Sequence, residues 1–184
     1  MNLFQFALIT ATSLGHLTAT SAAVTYKATL LHPTGFVESS VFGASGQSQV
    51  GYGNIAPNGF APHALLWNGT SGSFIDLNPP RFSISEAWDT DGSTQVGYGL
   101  TQTVYKRHAL LWHGTASSAI DLHPLGFDTS YATGVSGTSQ VGWGRKTIVS
   151  DDSSALLWQG SADSAVDLTP SGFTFSRAEG VWGG

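Results

Sequence analysis

The chain has 184 residues (19.2 kDa), with 7 Lys and Arg against 12 Asp and Glu and a formal net charge of −5. Charged residues make up 10% of it, against about 25% in an ordinary soluble domain, which excludes coiled coils and long amphipathic helices, whose exposed faces need charge. Apolar residues at 41% exclude disorder, the acidic balance without a basic cluster excludes nucleic acid as a partner, and the absence of cysteine excludes disulfides, thiolate zinc sites and a cysteine nucleophile.

Residues 1–23 begin apolar, turn Ser/Thr-rich and end in the small residues Ser21-Ala22-Ala23. This reads as a secretory signal peptide cleaved before Val24, although no Lys or Arg follows Met1. The competing reading keeps the segment as N-terminal strands of the folded domain. It is too short and too polar for a transmembrane helix, and no other segment looks like a membrane anchor. Cleavage would make the protein secreted or extracellular; retention would make it a soluble cytoplasmic one.

From residue 24 the chain repeats itself every 45 or 46 residues. A DLxP element begins at Asp76, Asp121 and Asp167, with Leu30-Leu31-His32-Pro33 one period earlier, and a Gly-Phe pair follows at Gly35-Phe36, Gly126-Phe127 and Gly172-Phe173. QVGYG stands at Gln49–Gly53 and Gln95–Gly99, and QVGWG at Gln140–Gly144. ALLW stands at Ala64–Trp67, Ala109–Trp112 and Ala155–Trp158. The units lie near 31–76, 77–121 and 122–167, with a partial copy at 168–184, and together form a single repeat domain over 24–184.

Each unit reads as four short strands: a, ending in DLxP; b, the segment before the turn (SSVFGASG, SEAWDTDG, SYATGVSG); c, QVGYG; and d, ALLW. Short strands separated by Gly, Asn, Pro and Ser are the all-β pattern, and no segment carries a helical period over three turns. Four strands in about 46 residues match a β-propeller blade, so the expected fold is all-β and propeller-like, with about four blades, incomplete or a fragment. With b innermost and a outermost, the chain from Val24 supplies fourteen strands, two short of four blades, so ring completion by the first 23 residues, by a partner or by homo-oligomerisation stays open. In QVGYG, Gly51 and Gly53 leave one strand face bare, which predicts close approach of another element; the expected element is the ALLW Trp of a neighbouring unit.

The order A-x-G-V-S-G-x-S-Q-V-G, then HALLW, then DLxP resembles the bacterial extracellular HAF-type repeat, named for a His-Ala-Phe motif at the place of His63-Ala64-Leu65 and His108-Ala109-Leu110; the third copy reads Ser154-Ala155-Leu156. The resemblance covers Val24 to Gly184 and implies an exported protein of propeller-like fold, with no established catalytic residues to carry over.

Trp67, Trp112 and Trp158 recur inside an apolar strand and read as core, as do Tyr52, Tyr98 and Trp143. Trp88 breaks the repeat and is a better ligand candidate; Trp182 stands near the terminus. No His pair has metal spacing, and Asp89-Thr90-Asp91-Gly92 reads as a decorated hairpin turn, because Leu100 occupies the place where a calcium loop needs Glu. The c–d connections are the most variable segments and carry Tyr105, Lys106, Arg107, Arg145 and Lys146; with Trp88 these are the candidate binding residues. No catalytic or metal-ligating residue and no cofactor is indicated. The sequence points to a non-enzymatic exported binding or surface-interaction module for a protein or glycan, with a propeller-type carbohydrate-binding lectin as the alternative and a propeller hydrolase third.

Overall fold

A computed structural model describes residues 27–55 and 60–183; the signal-peptide question at residues 1–23 lies outside the described residues. The described chain is all-β, organised as three four-stranded antiparallel sheets in which consecutive strands pair in order. The first holds β1 (Glu38–Ser45), β2 (Ser48–Asn54), β3 (Pro62–Asn68) and β4 (Ile75–Asp76). The second holds β5 (Phe82–Thr90), β6 (Gln95–Thr101), β7 (Arg107–Trp112) and β8 (Ile120–Asp121). The third holds β9 (Thr129–Ser136), β10 (Ser139–Arg145), β11 (Ser154–Trp158) and β12 (Val166–Asp167). Each sheet is therefore b, c, d and the following a. A single 3-10 turn, such as Ala116–Ser118, joins each d strand to its a strand. No helix among the described residues is long and apolar enough to cross a membrane.

Each motif residue has a local task. The Gln opening QVGxG accepts, at its side-chain oxygen, the backbone N–H of the Gly that follows the ALLW strand: Gln49 from Gly69, Gln95 from Gly114 and Gln140 from Gly160, at 2.8–2.9 Å. Those three glycines sit at φ of 77–79°, a region where other residues are strained. The first Gly of QVGxG faces a β-bulge that leaves Phe42, Trp88 or Thr133 unpaired in the b strand. A Cβ at Gly51, Gly97 or Gly142 would lie 1.9–2.0 Å from the carbonyl oxygen of Ser40, Glu86 or Tyr131. A Cβ at the second Gly would run into the ring of Phe36, Phe82 or Phe127. The glycine face is thus filled by the sheet's own bulged strand and by the Phe of the preceding turn, and not by a neighbouring Trp as the repeat pattern suggests. The tryptophan goes elsewhere because it lies beyond the glycines along the strand, opposite Gln (Gln95↔Trp112).

The sheets stack in sequence. Strand β5 lies against β1, β2 and β3, and β9 against β5, β6 and β7. Leu110 and Trp112 from the second sheet enter a core with Val50, Ala64, Leu66 and Leu77 from the first. Leu156 and Trp158 from the third pack the same way on Val96, Ala109, Leu111 and Leu122. Trp67, Trp112 and Trp158 are fully buried, and their indole N–H groups find no acceptor among the described residues.

Fourteen strands were expected, but among the described residues twelve form. The LLHP segment carries none, and the b segment of the fourth copy forms only an isolated bridge, Ser153 to Phe175. That segment packs on the third sheet, and among the described residues no strand pairs in register beside it.

The bulge geometry predicts that Gly97→Val destabilises the chain by more than about 2 kcal/mol, because the clash is with backbone that cannot rotate away. Gly114→Ala, where no atom lies within 4 Å of the Cβ, carries only the strain of positive φ. Denaturant midpoints of the two variants measure the difference.

Candidate functional site

Between sheets, one hydrogen-bond arrangement recurs three times. The N–H of the Ala that opens ALLW donates across the interface to a Ser hydroxyl: Ala64 to Ser85, Ala109 to Ser130 and Ala155 to Ser176, at 2.8–3.0 Å. The same Ser meets the variable residue of DLxP: Asn78 at 2.6 Å, His123 at 2.8 Å and Thr169 at 2.8 Å. Within each sheet the Asp of DLxP pairs with the residue before that Ala, His63 Nδ1 to Asp76 at 2.7 Å and His108 Nδ1 to Asp121 at 2.9 Å. The third copy has Ser154 at the His place, and there Asp167 also holds the Lys146 ammonium at 3.2 Å.

These environments perturb titrations. Burial, reinforced by the charge of His108 stacked 3.9 Å away, pushes His123 down to about 4. Its Nε2–H donates to the Phe127 carbonyl and its Nδ1 accepts from Ser130, so it is a neutral structural group at pH 7. Burial raises the Asp167 carboxyl, but hydrogen bonds from Thr169, Ser154 and Lys146 outweigh it and hold the group at about 2. Ser130 and His123 do not form a nucleophile–base pair: the Ser hydroxyl is buried, already accepts Ala109 N–H, and the nearby Asp121 engages the other imidazole.

The Asp89-Thr90-Asp91-Gly92 turn is also a connector. Asp91 Oδ1 accepts the N–H groups of Ser93 and Thr94, while its Oδ2 accepts Gly137 N–H and Asp89 Oδ2 accepts Val135 N–H from the third sheet.

The six candidate binding residues fall into three settings. Lys106 and Lys146 converge on the turn at Phe127-Asp128. Lys106 pairs with the Asp128 carboxylate, and the Lys146 ammonium lies 5.5 Å over the Phe127 ring. Trp88, Arg107 and Arg145 border an aromatic ladder. Trp88 stacks parallel on Tyr131, contacts Tyr98 and donates its indole N–H to Glu86. Tyr131 stacks on Trp143 at 4.1 Å, and Trp143 carries the Arg177 guanidinium at 3.9 Å. Arg107 and Arg145 stand 5.9 Å and 5.8 Å over Tyr98 and Trp143. Tyr105 stands apart on the β6–β7 loop, exposed, at a φ of 51°. Tyr131 has rings on both faces and Trp143 a ring and a guanidinium, so the ladder offers no open ring face to a stacking ligand there.

Sequence reasoning missed Glu86, Tyr131 and Arg177. The signal was a column in which Ser40, Glu86, Tyr131 and Arg177 differ while their neighbours repeat. It also missed an open aromatic group, Phe42–Tyr52–Phe60, in which the outer two rings are exposed and Tyr52 donates to Glu38. A cleft of about 340 Å³ lies between the β10–β11 loop and the following turn, lined among others by Lys146, Asp152, Asp167, Thr169 and Phe173.

Compared with family models, with curated proteins and with solved structures, the chain matches none.

Two outcomes test the interface. Ser130→Ala leaves the buried Ala109 N–H unpaired, which costs about 1–3 kcal/mol, read from denaturant unfolding. For His123, the unfolded chain takes up a proton near pH 6.5 that the folded chain refuses until about 4. Stability is therefore full above 6.5 and falls between 6.5 and 4. His123→Asn keeps an acceptor for Ser130, as Asn78 does for Ser85, and the decline in melting temperature over that window should be shallower in the variant.

Proposed function

We propose that this chain is a non-enzymatic, exported repeat protein that acts as a binding or surface-interaction module, built as successive blades of a β-propeller-like stack of the HAF-repeat type. One observation carries the reading: the motif residues that recur are spent on architecture, while the segments that vary most between copies are the c–d loops. Gln, Gly, Ala, Ser, Asp and Trp of the repeat close turns, bulges and sheet interfaces, which leaves none of them for chemistry. The β6–β7 and β10–β11 loops carry Tyr105, Lys106, Arg107, Arg145 and Lys146 on a rigid support, the usual arrangement of a binding surface. Lys106, Arg145 and Lys146 are each held by a carboxylate, so Tyr105 and Arg107 are the most available contacts.

The carbohydrate-binding reading draws on the Phe42–Tyr52–Phe60 group. Two exposed rings beside a carboxylate match what a sugar needs, an apolar face to stack on and an acceptor for its hydroxyls.

A glycan array and a panel of extracellular proteins, probed with the purified chain, test both. A partner whose affinity falls at least ten-fold in Tyr105→Ala/Arg107→Ala, at unchanged melting temperature, supports the loop surface. A glycan lost with Phe60→Ala supports the lectin. Chemical turnover of any bound ligand contradicts both.

A further inference from the structure

Three turn phenylalanines in this chain are covered in the same way. Phe36, Phe82 and Phe127 each lie on the second glycine of their own c strand (Gly53, Gly99, Gly144), where Leu65, Leu110 and Leu156 of the d strand also close in. Phe82 is thereby 2% exposed, whereas Phe173, at the same place in the fourth copy, is 66% exposed. The leucine of DLxP tells the same story. Leu77 and Leu122 are 0% exposed under the d strand of the following sheet, but Leu168 is 45% exposed. Both surfaces are ones that a c–d hairpin covers in the filled copies.

The seat for that hairpin is built. The segment 174–182 occupies the place on the third sheet that β5 and β9 occupy on the first and second. Ala155 N–H donates to Ser176, Ala178 N–H to the Gly142 carbonyl, and Thr133 Oγ1 to the Ala178 carbonyl at 2.6 Å. Arg177 clamps Trp143 from above. The edge that β6 and β10 pair with in the complete sheets carries no backbone bond at Arg177, Glu179 or Val181 among the described residues.

We infer that the edge at 176–182, with Phe173 and Leu168 beside it, is a docking site for a β-hairpin of this same repeat, Gln-Val-Gly-aromatic-Gly joined to Ala-Leu-Leu-Trp. The occupant's chemistry is dictated by the filled copies. Glycine is required opposite the bulged strand and over the Phe173 ring, leucine beside that ring, and Trp near Leu168. The chain's own N-terminal residues lack it: with Ser39 aligned on Ser176, Gln5 takes the Gly142 position, Ala7 the Gly144 position, and Thr18-Ala19-Thr20-Ser21 replace Ala-Leu-Leu-Trp. A Cβ at the Gly142 position lies 2.0 Å from a backbone oxygen. Main-chain pairing supplies affinity and the alternating side chains supply specificity, as in other strand additions. The site stands independently of the loop surface proposed above.

The probe is a synthetic peptide with the sequence of residues 139–158, titrated into the full chain. Expected are saturable one-to-one binding and slowed hydrogen exchange at Arg177–Val181. Binding should weaken at least ten-fold with Leu168→Asp in the protein and with Gly142→Val in the peptide. Binding indifferent to both substitutions, or absent, overturns the inference. So does exchange protection of Arg177–Val181 already present in the free chain, which would mean that the edge is paired in cis.

Discussion

A buried backbone N–H at the start of each ALLW strand is the constraint on which the stack depends. Ala64, Ala109 and Ala155 are closed in by the next copy, where an unpaired donor costs about 1–3 kcal/mol, and each finds its acceptor on a Ser of that copy's b segment. The Ser is in turn oriented by the variable residue of DLxP. One hydroxyl therefore ties the ALLW strand and the DLxP element of one copy to the b segment of the next, and it repeats with the period of the sequence. Hydrophobic burial of Leu110, Trp112, Leu156 and Trp158 supplies the adhesion; the hydrogen bonds set where along the strand that adhesion happens.

The glycines follow from the same close packing. A bulge in every b strand pushes a carbonyl toward the c strand, and only glycine leaves room for it. The turn phenylalanine then covers the second glycine, so the motif QVGxG is a mould for parts of its own sheet. Where the copies differ, the differences have structural partners too: Asp89 and Asp91 reach the third sheet through Val135 and Gly137, and Arg177 caps the aromatic ladder.

Electrostatically the chain keeps few free charges. Lys106, Arg145, Lys146 and Arg81 each face a carboxylate, and exposed pairs of this kind add little stability. Their effect is to leave the loop surface weakly charged, with the exposed ring of Tyr105 standing on it. The perturbed imidazole of His123 reflects packing between sheets, since its ring fills the place that Asn78 and Thr169 fill in the other copies.

Much of the architecture was legible because a repeat states its own boundaries. The four-strand unit, the order b-c-d-a within a sheet, the turn at Asp91 and the burial of Trp67, Trp112 and Trp158 were all readable from phase and alternation. What covers the glycines was not, since the bulge that places a carbonyl over Gly51 is a property of strand pairing and leaves no signature in one strand alone. Nor was the ladder, because Trp88, Tyr131 and Arg177 belong to three different copies and meet only when sheets stack. The sequence by itself determined the repeat, its all-β character and which loops vary most between copies. The tertiary structure decided which side chains spend their surface on one another, and that the fourth copy has a seated b segment with Phe173 and Leu168 uncovered. The physical reason is that contacts between copies depend on how sheets approach, a distance that periodicity does not encode.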